Sequence, residues 1–172
     1  MRLTDDQWES VFDGFGSSAF RLEVQQTYAM SDELDDLDLF LSGAPRPANY
    51  NEAWHDYIRG HVAAGKTVQR VKLIRRPYTD YTRFLMEWGV PGNVAAGEDY
   101  RIIDVPLGEH VELPDQDFWL FDEELVIRLD FDEAGGLSGI ERIEQPDLGY
   151  YRQVRDAGLR RALPFRDWHA GA

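Results

Sequence analysis

The segment 117-DFWLFDEELVIRLDFDEAGGLSGIERI-143 decides the fold. Asp117–Phe121, Leu125–Phe131 and residues 137–143 are short runs of aromatic and branched residues. They are joined by an acidic turn at 122–124 and a glycine-containing turn at 132–136. Strands so closely spaced pair with their sequence neighbours, so 117–143 predicts an antiparallel meander. In the first run Phe118 and Leu120 point to one face and Trp119 and Phe121 to the other. Both faces are therefore expected to be covered, by core or by a ligand pocket.

Upstream the periodicity changes repeatedly. Thr4-Asp5-Asp6-Gln7 has the spacing of a capping box, and Trp8, Val11, Phe12 and Phe15 recur at helical intervals, predicting a helix over 5–14 stopped by Gly14 and Gly16. In residues 19–28, Phe20, Leu22 and Val24 alternate with Arg21, Glu23 and Gln25, the pattern of a strand with one wet face. A helix capped by Ser31 is expected through Leu34 to Leu41, and another from Asn51 to about Gly65. Thr67–Arg75 is rich in branched residues and reads as a strand. Thr79 caps a helix through Trp88, stopped by Gly89 and Pro91, and a strand follows at 100–105 that can pair in parallel with 67–75 through a crossover. Pro146 opens a last helix, and the tail after Pro164 is expected to be irregular. The predicted class is α/β in the mixed α+β sense: a single mixed sheet of about six strands flanked by helices, in one domain over 1–172.

The 172 residues are 43% hydrophobic and 13% aromatic, enough for one sizeable core. There is no cysteine, which excludes disulfides, thiolate catalysis and zinc–cysteine sites. The formal charge of −14 argues against general adhesion to nucleic acid or an anionic membrane. No stretch approaches a membrane span and Met1 to Glu9 lacks a signal-peptide pattern, so the expected location is the cytoplasm. The charge is segregated: residues 1–40 carry −8, 41–90 carry +4, 91–148 carry −13 and 149–172 carry +3. Arg70, Lys72, Arg75 and Arg76 would be the group to meet phosphate, but direct nucleic-acid contact ranks last against so negative a global field.

Catalytic motifs fail on context. Gly14-Phe15-Gly16-Ser17-Ser18-Ala19 has the letters of a dinucleotide loop, yet a helix precedes it and a strand follows, the reverse of the required order. Asp130 and Asp132 share a strand face and can approach one cation, but 132–136 has the composition of an ordinary hairpin turn, and neither lysine lies near the acids. His55, His61, His110 and His169 show no metal spacing. No catalytic residue, metal ligand or cofactor is assigned.

Ser18-Ala19-Phe20-Arg21-Leu22-Glu23, Ala64-Gly65-Lys66-Thr67-Val68 with Arg70-Val71, Asp80-Tyr81 with Arg83-Phe84, Asn93 to Arg101, and Asp117 to Asp122 together resemble a family known mainly from actinobacteria. Its members have no assigned activity and are commonly encoded beside small helix-turn-helix regulators. Phe84 and Met86 stand where relatives are more polar, and the acidic segment 32–41 is heavier than usual. The resemblance implies a non-catalytic acidic module that binds a basic helix-turn-helix protein, as in a regulator–antagonist or toxin–antitoxin-like pair. Asp35, Asp36, Asp38, Glu123 and Glu124 are the candidate contacts. The alternative is a small enzyme or ligand-binding domain. Its polar pocket would lie near Arg70, Asp80, Tyr81, Arg83, Glu98, Asp99, Arg101, Asp117 and Trp119, where strand and helix ends gather polar residues. A homo-oligomer is compatible with either reading.

Overall fold

The meander forms as expected. In the structure, a computed structural model describing residues 1–31 and 33–171, β4 (Asp117–Phe121), β5 (Leu125–Phe131) and β6 (Leu137–Arg142) pair antiparallel in sequence order. They form one side of a mixed sheet. Its other strands are β1 (Ser18–Glu23), β2 (Thr67–Arg75), β3 (Asp99–Val105) and a two-residue β7 (Leu163–Pro164), in the order β6-β5-β4-β1-β2-β3-β7. β1, β2 and β3 run parallel, while β4 is antiparallel to β1 and β7 to β3. The strand count is thus seven against the six read from sequence, the addition being β7. The tail around β7 is ordered and ends in α7 (Phe165–Ala170). Phe165 accounts for this, because it buries against Ile74, Met86, Tyr100 and Ile102.

One sheet face is an apolar layer under α6 (Leu148–Arg161). Phe20, Leu22, Val71, Leu73, Ile103, Phe118 and Leu120 are buried there beneath Tyr151 and Val154. Asp147 rather than Pro146 caps this helix, accepting from the Tyr150 amide at 3.0 Å.

The opposite face carries α1 (Asp5–Gly14), α2 (Leu34–Leu41), α3 (Glu52–Ala63), α4 (Asp80–Phe84) and α5 (Val90–Ala96). The capping box on α1 is present in both directions. α2 starts after Glu33 without the expected Ser31 cap, and Asp32 lies outside the described residues. Asn51 precedes α3 at a φ of 54° and makes no side-chain cap bond. Gly89 and Pro91 do not stop the helix that Thr79 caps. The chain passes through a π-helical turn at Leu85–Gly89 into α5, with Pro91 in its first turn.

The largest departure concerns β1. The face expected to be wet is buried, with Arg21 and Glu23 only 6% and 7% exposed. β1 is central, between β2 and β4, and the side chains that enclose Arg21 and Glu23 come from the neighbouring strands: Asp117 and Trp119 on β4, Arg70 on β2 and Tyr100 on β3.

Candidate functional site

Strand register places Trp119, Arg21, Arg70 and Tyr100 side by side across β4, β1, β2 and β3. Two residues along, Glu23 stands beside Lys72. Two guanidiniums on adjacent strands would repel, so the arrangement depends on buried carboxylates. Arg21 donates through Nη2 to Asp117 at 2.7 Å. Arg70 donates through Nε to Glu98 at 2.7 Å and through Nη1 to Glu23 at 2.5 Å. Asp117 also accepts from the Val24 amide at 2.9 Å and the Tyr28 hydroxyl at 2.6 Å. Lys72, with no solvent exposure, donates to the Gln25 carbonyl and lies 4.6 Å from the centre of the Tyr28 ring. Three cations and three carboxylates thus share one buried polar layer.

Aromatic faces complete it. The Arg70 guanidinium carbon lies 5.5 Å from the Trp119 ring centre, 5.4 Å from Tyr100 and 6.0 Å from Trp54, and Arg21 lies 5.5 Å from Trp119. These are cation–π distances.

The layer sets its own titration. Burial opposes ionisation of Glu23, but Arg70, Arg21 and Lys72 outweigh it and hold this carboxyl at about 2. Burial lowers Lys72 to about 8, with Glu23 and Asp117 pulling the other way. Burial also raises Glu98, against the attraction of Arg70, and keeps Tyr28, Tyr81 and Tyr100 well above the usual phenol range.

Over this layer lies a cavity of ≈ 620 Å³, within the size range of small-molecule sites. Arg21, Arg70, Tyr100 and Trp119 form its floor. α1 contributes Trp8 and Phe12, α3 contributes Trp54 and Tyr57, and the segment after β1 contributes Tyr28 and Met30. Local chemistry fixes these walls. The Tyr57 hydroxyl donates to the Phe12 carbonyl, tying α3 to α1. Gly135, at a φ of 87°, lets the β5–β6 turn approach so closely that a Cβ there would meet the Thr27 carbonyl at 2.6 Å; its own carbonyl accepts from the Ala29 amide at 2.8 Å. That contact sets the backbone on either side of Tyr28, which no periodicity reveals.

Of the sequence-derived pocket residues, Arg70, Glu98, Asp117 and Trp119 meet in the buried layer, and Tyr81 lines the cavity with its hydroxyl donating to Glu33 at 2.8 Å. The others are elsewhere. Asp80 and Arg83 pair with each other on the exposed side of α4, and Asp99 binds Arg101 and Gln69 at the start of β3. The basic group Arg70, Lys72, Arg75 and Arg76 does not form a surface patch: Arg70 and Lys72 face inward, and Arg76 forks onto Asp104 at 3.0 and 2.7 Å.

Asp35 and Asp38 are exposed on α2, with Asp36 half-buried. Glu123 is bound by Arg155 at 2.7 Å, whereas Glu124 is exposed in the turn. The residues missed in the sequence are Arg21, Glu23, Tyr28, Trp54 and Tyr57. For the first two a signal existed, since strands 67–75 and 117–121 supply charges of both signs to complement them.

The turn with dinucleotide-loop letters holds an anion of its own. Asp122 accepts from the amides of Gly16, Ser17 and Ser18 at 2.7, 2.6 and 3.0 Å and from the Ser17 hydroxyl at 2.9 Å. Asp132 caps its turn through the Ala134 and Gly136 amides, and Asp130 pairs with Arg128. Among the described residues, no group of three or more His, Asp or Glu is placed to hold a metal ion, and no helix is long and apolar enough to cross a membrane.

A family model described as a domain of unknown function, DUF6879, matches residues 6–170. No curated protein matches the chain.

Proposed function

Because the chain belongs to the DUF6879 family of domains of unknown function, its role has to be read from its own site, and we propose that it binds a small organic molecule in the aromatic cavity. The observation that carries this reading is the buried layer of six ionisable groups beneath that cavity. Such a layer is a poor stability device, since well-packed apolar residues of the same volume are commonly as stable or more so. Strongly shifted groups beside a cleft are instead the usual mark of a functional site. The charged pairs place the Arg21 and Arg70 guanidiniums against the rings of Trp119 and Tyr100, and the rings above them offer flat apolar walls.

Thermal shift against a set of aromatic and heteroaromatic compounds tests the reading. Compounds that bind should raise the melting temperature of the wild type by several degrees and that of Trp54→Ala by much less. A set that leaves the wild-type melting temperature unchanged would contradict it.

A second reading is favoured by α2. Leu34, Leu39 and Leu41 are 46%, 42% and 51% exposed and share this helix with the exposed acids Asp35 and Asp38. Exposed leucines interspersed with acids suit a basic protein surface that also carries apolar residues, such as that of a helix-turn-helix regulator, and the module would then be a non-catalytic regulatory partner. Co-expression with such a regulator should give salt-sensitive co-purification that Asp35→Lys with Asp38→Lys abolishes. No association at low salt would sink this reading.

A further inference from the structure

We infer that the cavity takes an organic cation, an ammonium group carried on an apolar or aromatic body; this rests on the binding reading above and adds the sign of the ligand's charge. The two floor arginines at first suggest an anion. Both guanidiniums, however, are already matched by buried carboxylates: Arg21 gives Nη2 to Asp117, and Arg70 gives Nε to Glu98 and Nη1 to Glu23, at 2.5–2.7 Å, although Arg21 Nε has no hydrogen-bond partner. With two guanidiniums already facing three carboxylates, an incoming anion, even one that accepted from Arg21 Nε, would add negative charge without compensation at low dielectric.

The remaining charge around the cavity is negative. Four carboxylates, Glu9, Asp13, Glu23 and Glu33, line it against two guanidiniums, a net charge of −2. Behind the floor, Lys72 is outnumbered by Asp117 and Glu98. Burial raises the pKa of Glu98, but its protonation would cancel only one charge and leave the lining unchanged.

Ring geometry points the same way. Glu9 and Asp13 lie one turn apart on α1, both exposed, next to Trp8 and Phe12 on the same helix. The Trp8 and Phe12 centroids are 4.5 Å apart at 90°, and Phe12 meets Trp54 at 5.8 Å. Ring faces carry negative electrostatic potential, so acids beside a group of aromatic faces form an environment that attracts a cation and repels a carboxylate. The overall charge of −14 steers ligands in the same sense.

Isothermal titration at low salt with three probes of one shape tests this: tryptamine as cation, 3-ethylindole as neutral body and 3-(indol-3-yl)propionate as anion. Tryptamine is expected to bind about tenfold more tightly than 3-ethylindole, with the propionate weakest. In the double variant Glu9→Gln with Asp13→Asn the ratio of tryptamine to 3-ethylindole affinity should fall towards one, and an undiminished ratio would overturn the charge assignment. Equal affinities, or the propionate binding tightest, would overturn the charge assignment while leaving the binding reading intact. No binding by any of the three at millimolar concentration would instead count against the binding reading itself.

Discussion

Replacing Glu23 by glutamine keeps the shape of the side chain and removes one charge from the centre of the buried layer. Its magnitude can be reached by two routes. Arg70, Arg21 and Lys72 overcome the burial penalty and hold the Glu23 carboxyl at about 2 instead of 4.5, which at neutral pH amounts to about 3 kcal/mol of folding free energy. Independently, removing one partner of a buried ion pair costs about 3–5 kcal/mol, because the charge left behind is uncompensated. For Glu23 that remaining charge is on Arg70, bonded to Glu23 at 2.5 Å and left with Glu98 alone.

The folded-state pKa is depressed, so this stabilisation is fully present above about pH 4.5 and is lost as pH falls towards 2. Urea unfolding of wild type and Glu23→Gln should therefore show a gap of about 3 kcal/mol at pH 7, narrowing to about 1.5 kcal/mol at pH 3. A gap under about 0.5 kcal/mol at pH 7, or one that stays constant down to pH 3, would refute the reasoning.

Other consequences follow from the same contacts. Phe84 has no solvent exposure and meets the rings of Phe40, Tyr50, Tyr81 and Trp88 at 5.7–5.9 Å, so Phe84→Ala should cost about 3–5 kcal/mol in urea unfolding. A loss below about 1 kcal/mol would mean that the site collapses around the change. Asp122→Asn keeps a residue tolerant of the φ of 52° but weakens the carboxylate's hold on the 16–18 turn, and should cost about 1 kcal/mol at pH 7. Three amides and a hydroxyl outweigh desolvation and keep Asp122 at about 2, so this difference should fade as pH drops through 4 towards 2; a difference independent of pH would count against it. For Lys72 the sign is opposite. Burial lowers its folded pKa to about 8 from 10.5, so the unfolded chain binds the extra proton and wild-type stability should rise from pH 8 to 10. Lys72→Met should abolish that rise, and an unchanged slope in the variant would exclude Lys72 as its source.

Periodicity sufficed for the meander, for α1 with its capping box and for the parallel β2–β3 pair, since each depends on neighbours close in sequence or on one regular repeat. It misled at β1. Phe20, Leu22 and Val24 do face the core under α6, but alternation says only that Arg21 and Glu23 face the other way, not what covers them. Their partners are Asp117 and Trp119 on β4, Arg70 on β2 and Tyr100 on β3, contacts spanning tens of residues. The helix after Thr79 runs past Gly89 and Pro91 because a π-helical turn realigns it, which breaker residues alone do not disclose. In the site, Arg70, Glu98, Asp117 and Trp119 were legible as polar or aromatic residues on strands or at their ends. Tyr28 was not, because it sits in an irregular segment held by the distant Gly135 turn.

The five tryptophans allow a direct test of the central claim that the cavity is a ligand site. Trp8, Trp54 and Trp119 line it, while Trp88 and Trp168 do not. Tryptamine titrated into the ¹⁵N-labelled protein should shift the indole N–H signals of the first three saturably, together with amides of α1 and β2, and leave Trp168 in place. Saturable shifts centred on Trp168, or none at any indole, would contradict the account.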